Sequence, residues 1–266
     1  MYSEVYSVTL AGLDACIVKV ETDAGDGLPS FEMSGCLAAQ VTEARERVRV
    51  AVKNSGIILR PQKIMVNISP ADIRKAGNGF DLPVAAGILA ADGIIKTDML
   101  ESSVIIGELS LDGSVNAVRG IINCVAKAAQ MGFKRCIVPS CNICEGEHIE
   151  GIEVLGVDSL KQLIGYFNGE SELIDAIDAK KSREHDVIHM KNETCPDFAD
   201  ITGQITAKRA SLIAAAGHHN ICYMGIPGTG KTMMAKRIST IMLPLNESEK
   251  MELTRIYSAA GKLEGR

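Results

Sequence analysis

One glycine-rich segment constrains the fold of this 266-residue chain more than any other feature of its sequence. It matches the pattern G-x-x-x-x-G-K-[ST] without a mismatch. Its residues are Gly225, Ile226, Pro227, Gly228, Thr229, Gly230, Lys231 and Thr232. In phosphate-binding loops this pattern joins a strand to a helix. The mostly apolar residues 220–224 predict a buried parallel strand, and residues 231–241 predict the helix, so we expect an α/β fold around this loop.

The residue types in this loop suit the chemistry of a bound nucleoside triphosphate. Gly228 and Gly230 can adopt backbone angles that direct successive N–H groups towards one phosphate. Lys231 can reach the β- and γ-phosphates, and the hydroxyl of Thr232 can bind Mg²⁺. We therefore predict ATP and Mg²⁺ as ligands, with Lys231 as the catalytic residue and Thr232 as the metal ligand. The alternative is a generic glycine-rich turn before a helix.

Binding of ATP does not by itself predict hydrolysis. Phosphoryl transfer also needs an acidic motif for magnesium and water, and commonly an arginine from a neighbouring subunit. An apolar strand that ends in Asp-Glu is expected after the loop, and residues 233–266 contain none. Two interpretations fit this observation: the chain is a degenerate ATPase, or it is a fragment of a longer protein. We favour the fragment.

The residues before the loop predict a separate α+β domain. Residues 5–10 and 15–20 alternate in hydrophobicity around Gly12, which predicts a hairpin. Val48, Ala51 and Val52 form one helical stripe that ends at residues 54–56. Further strands are predicted at 63–68, 103–109, 114–117, 136–139 and 153–155, and further helices at 81–93, 120–131 and 159–167. We expect 103–109 and 114–117 to pair as a hairpin, because Asp112-Gly113 favours a tight turn.

Changes in composition suggest the domain limits. Residues 1–168 form the first predicted domain, and the polar, weakly periodic residues 169–196 are predicted to be a linker. Residues 197–266 form the second predicted domain, with helices at 204–216 and 247–258 in addition to the helix after the glycine loop.

Composition narrows the possible partners and compartments. The net charge is −5, which argues against a surface coated with positive charge for nucleic-acid binding, although DNA could still be held in the pore of an oligomer. We find no apolar run of the roughly 18 residues that a membrane span needs. The chain has 8 scattered cysteines, which predicts reduced thiols and a cytoplasmic location.

Three other clusters have a chemical and a structural interpretation. Cys141 and Cys144 lie near His148, but a structural zinc site usually has four ligands, so incidental cysteines are the simpler interpretation. The adjacent His218 and His219 are more typical of a helix cap than of a metal site. A third cluster on the predicted helix consists of Arg45, Arg47, Arg49 and Lys53. It is more typical of a solvated face than of DNA contact.

Residues 197–232, DFADITGQITAKRASLIAAAGHHNICYMGIPGTGKT, resemble the start of an AAA+ ATPase module. The match is to the magnesium-chelatase-like branch, specifically the ComM/YifB family, and MELTRIYSAAG after the loop resembles the same family. In that family the segment corresponding to residues 197–204 precedes the phosphate loop and lines the adenine pocket. The resemblance therefore implies Ile201 and Gly203 as adenine contacts; the alternative is a simple entry into a helix.

The first predicted domain resembles the Lon-protease-like domain of the same family. The matching segments include KIMVNISPADIRKAGNGFDLPVAAGILAADG and IIGELSLDGSVNAVRGI. Lon-type peptidases use a serine activated by a lysine. At the matching positions stand Gly79 and Ile122, and Ser69 and Lys127 are the nearest substitutes by residue type. The resemblance therefore predicts a domain without the catalytic dyad, kept for assembly or coupling.

The resemblance also implies a function. Proteins of this family form hexameric rings and act on DNA as helicases that promote branch migration during natural transformation. One alternative is a chelatase-type ATPase that remodels a protein partner, and a less favoured one is a Lon-like peptidase. No membrane partner is expected.

Overall fold

The computed structural model of the chain describes residues 1–75, 77–147, 149–175 and 197–263. These residues form two compact units. The first takes in the described residues up to 175 together with residues 252–263, and the second takes in residues 197–251. Much of the predicted linker lies outside the described residues, and the domain limits expected from the sequence stay predictions.

The first unit is built on one large sheet with helices on both faces. Its strands are β1 (Tyr2–Ala11), β2 (Asp14–Gly25), β3 (Ser30–Ser34), β4 (Lys63–Ser69), β5 (Ser103–Ile105), β6 (Glu108–Leu109), β7 (Val115–Asn116), β8 (Arg135–Pro139), β9 (Glu153–Val157) and β10 (Ile174–Asp175). Its helices are α1 (Ala39–Asn54), α2 (Asp81–Ala91), α3 (Ile121–Gln130), α4 (Ile143–Gly146) and α5 (Leu160–Asn168).

The large sheet is mixed but largely parallel. Its strand order is β10-β9-β8-β5-β1-β2-β4-β3. Strand β2 is antiparallel to both of its neighbours, and β10 is antiparallel to β9, while the β1–β5, β5–β8, β8–β9 and β3–β4 pairs are parallel. This arrangement confirms an α/β class for the chain as a whole, and the sheet on which the class rests lies in the first unit.

Two apolar clusters cover the two faces of this sheet. One contains Val48 of α1, Leu82 of α2 and Leu163 of α5. The other contains Ile121 of α3 and Ile143 of α4. Neighbouring residues of a strand point to opposite faces, so β1 contributes Val5 to the first cluster and Val8 to the second.

Several expected elements are confirmed, and the local sequence explains them. Strands β1 and β2 pair antiparallel across a turn at Gly12, which has φ 70°. Helix α1 buries the predicted stripe, including Val48, Ala51 and Val52, and ends at Asn54. Helix α5 begins after Ser159, whose hydroxyl accepts a hydrogen bond from the Gln162 amide and satisfies a free donor of the first turn.

The single strand predicted at 103–109 is wrong, because the chain leaves the large sheet at Gly107. The Gly107 amide donates to the Gly79 carbonyl at 3.0 Å, and the Gly107 carbonyl accepts from the Leu82 amide at 3.0 Å. A Cβ at this position would lie 2.8 Å from Leu82 Cδ2, so a larger residue would force the neighbouring side chains to move. The segment is therefore divided into β5 in the large sheet and β6, which pairs with β7 as the predicted hairpin.

The second unit contains α6 (Ile205–Ala216) and α7 (Lys231–Arg237), which continues as a 3-10 helix at Ile238–Ile241. Helix α8 (Glu247–Ala259) follows, and its residues from 252 onward belong to the first unit. The strand predicted at 220–224 is wrong, since these residues carry no strand here. A strand needs a hydrogen-bonded partner, and no segment within residues 197–251 is paired as a strand. Met224 is 90% exposed instead of buried.

Candidate nucleotide-binding site

The glycine loop between residues 225 and 230 forms a tight turn that ends at helix α7. Gly228 has φ 84° and Gly230 has φ 82°, a backbone region that favours glycine. A Cβ built on either residue would meet no atom within 4 Å, so the space beside both glycines is open. Gly230 is the residue before the first turn of α7, whose first amides have no partner within the helix. A loop of this form can accept a phosphate group.

Lys231 is folded back onto the loop that precedes it. Its ammonium donates to the Gly225 carbonyl at 2.7 Å and to the Ile226 carbonyl at 2.6 Å, and it lies 3.4 Å from Thr229 Oγ1. A lysine ammonium has three donors, so these three acceptors satisfy it. The positive charge therefore stands at the mouth of the loop. The side chain must exchange carbonyl oxygens for phosphate oxygens when an anion binds.

The two threonines of the loop have different environments. The hydroxyl of Thr229 donates to the Ile226 carbonyl at 2.9 Å and holds the turn closed. Thr232, in the first turn of α7, is exposed, so its hydroxyl is accessible to a metal ion. Ile226 is 74% exposed and Pro227 is also exposed, so neither side chain contributes to a core.

The two predicted adenine contacts occupy different environments. Ile201 is buried in a small apolar cluster with Phe198 and Met234, which fixes the start of the unit against α7. Gly203 is exposed and has φ 72°. Their role in adenine binding stays a prediction.

Gln204 is a contact that the sequence did not single out. Its side-chain amide donates to the Thr229 carbonyl at 3.3 Å, which connects the segment around Ile201 and Gly203 to the phosphate loop. A second connection runs from the Phe198 amide to the Thr240 hydroxyl at 3.1 Å. A side-chain hydrogen bond between distant positions leaves no periodic signal in a sequence. The only sequence signal for the bond from Gln204 to Thr229 is that Gln204 belongs to the family-like segment 197–204.

The positions of the Lon-type dyad contain no nucleophile or base. Gly79 is buried, and a Cβ there would lie 3.2 Å from Ile106 Cγ2 and 3.3 Å from Val118 Cγ1, so a serine would be crowded. Ile122 is buried in the first turns of α3. Of the two substitutes, Lys127 donates to the Gln130 side chain at 3.1 Å, and Ser69 is the last residue of β4.

Lys75 belongs to the same glycine-containing loop and is fully buried. Its ammonium donates to the Pro70 carbonyl, and its backbone amide donates to the Cys36 carbonyl at 2.9 Å. Burial lowers the pKa of the Lys75 ammonium. Lys75 is therefore a structural residue of the first unit that ties the loop to the segment after β3. Ala76, beside it, lies outside the described residues.

We expect the purified protein to leave casein uncleaved with or without ATP, because the dyad positions carry glycine and isoleucine. Gel analysis over several hours measures this. If casein is cleaved, Ser69→Ala should be tested next, since loss of cleavage in that variant would identify Ser69 as the nucleophile and contradict our assignment.

The structure describes only part of the cysteine and histidine clusters. No group of three or more His, Cys, Asp or Glu side chains with metal-binding geometry occurs in that part of the chain. Cys136 is buried, whereas Cys141 is exposed, and His148 lies outside the described residues. The histidine pair follows α6, where the His219 backbone amide donates to the Ala214 carbonyl at 2.8 Å, and the predicted capping role of the two side chains stays a prediction.

The predicted basic cluster on α1 is not a uniform solvated face. Arg47 forms a bidentate ion pair with the buried Asp81 of α2, with Nε 2.8 Å from Oδ2 and Nη2 2.9 Å from Oδ1. Arg45 pairs with Glu46 on the surface at 3.3 Å. Arg49 and Lys53 remain exposed. The expectation was wrong for Arg47, because its partner is 34 positions away in the sequence.

Comparison with known proteins gives two family matches that cover most of the chain. Residues 20–142 match the family described as subunit ChlI of Mg-chelatase. Residues 197–266 match the family described as magnesium chelatase, subunit ChlI. The second match includes the glycine loop.

Individual relatives support the same assignment. Competence protein ComM of Haemophilus influenzae is 34% identical over 96% of this chain and 49% of its own length. Protein YifB of Escherichia coli is also 34% identical, over 96% of this chain and 49% of its own length. The archaeal Lon protease of Methanocaldococcus jannaschii is 26% identical over 56% of this chain and 24% of its own length. The chain therefore spans about half the length of ComM and YifB.

Among the described residues, no helix is long and apolar enough to cross a membrane.

Proposed function

The chain belongs to the magnesium-chelatase-like AAA+ ATPase family that includes ComM and YifB. We propose that residues 225–232 bind ATP with Mg²⁺ and that the protein is an ATP-driven DNA motor. The proposal that the chain binds ATP rests on the glycine loop before α7. This loop has open space beside Gly228 and Gly230 and the ammonium of Lys231 at its mouth. This geometry supports phosphate binding independently of the relatives.

Each loop residue has a distinct role in this proposal. The amides around Gly228 and Gly230 bind the phosphate oxygens, and Lys231 leaves the Gly225 and Ile226 carbonyls to contact the β- and γ-phosphates. The exposed hydroxyl of Thr232 binds Mg²⁺. Mg²⁺ held by Thr232 would supply positive charge that offsets the negative charge of the phosphates. Ile201 and Gly203 stay proposed adenine contacts, supported by the Gln204 bond to the loop.

The DNA part of the proposal is supported by the family and by one relative, the competence protein ComM. We propose a hexameric ring that promotes branch migration of DNA during natural transformation. The net charge of −5 suits DNA held at a few positive positions inside a ring better than DNA bound across the whole surface. ATP-dependent work on DNA would place the protein in the cytoplasm.

We expect the full-length protein to hydrolyse ATP several-fold faster when branched DNA is added. DNA that binds across subunits of a ring favours the arrangement that cleaves ATP, which is the physical reason for stimulation. A coupled phosphate-release assay with and without a synthetic four-way junction measures it, and Lys231→Ala serves as the inactive control. ATP turnover that is the same with and without any DNA would contradict the motor proposal while leaving ATP binding intact.

A second candidate is a chelatase-type ATPase that remodels a protein partner. It is favoured by the two family matches, both of which describe a magnesium-chelatase subunit. The likeness to an archaeal Lon protease favours the first candidate, because chelatase motor subunits generally lack a Lon-like domain. Stimulation of ATPase activity by a copurifying metal-insertion protein, and not by DNA, would select this second candidate.

A further inference from the structure

The first unit has an apolar groove, and none of its lining residues belongs to the glycine loop or stands at a Lon-type dyad position. Its volume is about 620 Å³, which is in the range of ligand-binding clefts. It is lined by the second half of α1, by the start of β3 and by residues 57–62, the loop between α1 and β4. The proposed ATPase activity assigns no role to these residues.

The floor and wall of the groove are aliphatic. Val48, Val52, Ile64 and Ile88 are buried at its base. Ile58 stands at its wall and is 92% exposed. An isoleucine so exposed beside other apolar side chains gains stability only when a partner covers it, so this wall has the character of a contact surface.

The rim of the groove carries positively charged side chains. Its ionisable lining residues are Arg49, Lys53 and Arg60, and no Asp or Glu is among the described residues that line it. Arg49 and Lys53 have no ion-pair partner in that part of the chain. Arg60 is 3.9 Å from Asp92, with its side chain 80% exposed, so water weakens this pair. The whole chain has a net charge of −5, so the charge of this rim is opposite in sign to that of the chain.

The groove also opens beside a free sheet edge. Strand β3, whose residues Ser30 and Phe31 line the groove, is the last strand of the large sheet. Within the described residues no strand pairs with its outer side. The backbone groups on that side can therefore bind an extended peptide, which would place alternate side chains towards the groove.

We propose that this groove binds an acidic, extended segment of a partner protein, with aliphatic side chains inserted between α1 and β3. The aliphatic floor accepts the apolar side chains, Arg49, Lys53 and Arg60 contact carboxylates on either side, and β3 offers backbone pairing. Nucleic acid fits this surface less well. Phosphate oxygens would gain nothing from an aliphatic floor, and the one aromatic residue in the lining, Phe31, packs against the core of the unit.

The test uses the 266-residue chain and defined peptides. The peptides are labelled with fluorescein and have the form GDEΦTΦEDG. Each Φ is Leu, Ile, Val, Met or Phe, and the set contains every pairing of these residues at the two positions. The protein is titrated into each peptide, and binding is measured by fluorescence anisotropy. We expect saturable binding by at least one of them with Kd below about 0.1 mM. Matched peptides with lysine in place of the acidic residues, or serine in place of Φ, should bind at least about tenfold more weakly.

Variants locate the binding site. Arg49→Glu with Lys53→Glu should weaken binding at least about tenfold, and Ile58→Ser should weaken it several-fold. Lys134→Glu with Lys161→Glu changes the net charge equally at exposed positions elsewhere on the unit and should leave Kd within about twofold. Circular dichroism confirms that each variant is folded.

Three results would overturn the proposal. The first is that no peptide of the set binds. The second is that oligothymidine binds more tightly than every peptide and loses affinity in the Arg49→Glu, Lys53→Glu variant, which would make the groove a nucleic-acid surface. The third is that Ile58→Ser changes the oligomeric state in light scattering, which would make the groove an interface between copies of this chain.

Discussion

Replacing Lys231 with alanine is expected to weaken ATP binding by the 266-residue chain at least about a hundredfold. The variant loses the Lys231 ammonium at the mouth of the glycine loop and keeps the backbone donors around Gly228 and Gly230. Charge-assisted hydrogen bonds contribute about 1.5–3 kcal/mol each, and Lys231 can donate to two phosphates. Two such bonds exceed the roughly 2.8 kcal/mol that corresponds to a hundredfold change in Kd. Titration of a fluorescent ATP analogue in the presence of Mg²⁺ measures the effect.

The matched control is Lys236→Ala, which removes an exposed lysine from the same helix. It should leave the Kd for ATP within about twofold, because a surface charge at that distance is screened by salt. The Lys231→Ala variant should fold normally, since the Gly225 and Ile226 carbonyls that it releases are exposed to water. Equal affinity in the two variants would show that ATP does not bind at this loop. A Lys231→Arg variant tests geometry, because a planar guanidinium does not reproduce a compact ammonium.

The elements that could be predicted from the sequence are those whose cause lies within a few residues. The β1–β2 hairpin follows from alternation around Gly12, and α1 follows from a stripe of small apolar residues at helical spacing. The glycine loop is local in the same sense, because Gly228 and Gly230 adopt positive φ angles through their own lack of a Cβ. Such features are encoded by residue type and order.

Features that depend on distant partners were missed. The division of one predicted strand into β5 and β6 depends on bonds from Gly107 to Gly79 and Leu82. The groove beside β3 arises because α1, β3 and residues 57–62 meet in space. A run of apolar residues also does not make a strand without a pairing partner, which is why residues 220–224 were mispredicted.

The ion pair between Arg47 and Asp81 is the distant contact with the largest expected effect on stability. The Asp81 side chain is fully buried, and its carboxylate accepts from Arg47 at 2.8 and 2.9 Å and from the Leu109 amide at 3.2 Å. Arg47→Met leaves this buried charge with one backbone donor. We expect the free energy of unfolding to fall by about 3–5 kcal/mol, a large share of the roughly 5–15 kcal/mol that stabilises a typical domain. Urea denaturation followed by circular dichroism measures the loss.

The control is Arg45→Met, the same substitution two positions earlier on α1, where the arginine pairs with the exposed Glu46 at 3.3 Å. It should cost less than about 1 kcal/mol. Adding Asp81→Asn to Arg47→Met should recover part of the loss, because a neutral amide is less costly to bury than a carboxylate.

The pH dependence of the Arg47→Met variant identifies the cause of its instability. Burial raises the pKa of the Asp81 carboxyl, and the Arg47 guanidinium opposes this shift, so in the variant only the hydrogen bond from the Leu109 amide still opposes the raising effect of burial. A carboxyl whose pKa is raised in the folded state favours folding when protonated, and this contribution is lost as pH rises through the raised value. The stability deficit relative to the unmodified chain should therefore be largest near neutral pH and shrink as pH falls towards the ordinary value of about 4. A deficit that does not change with pH would indicate that Arg47 stabilises the unit by packing and not by its charge.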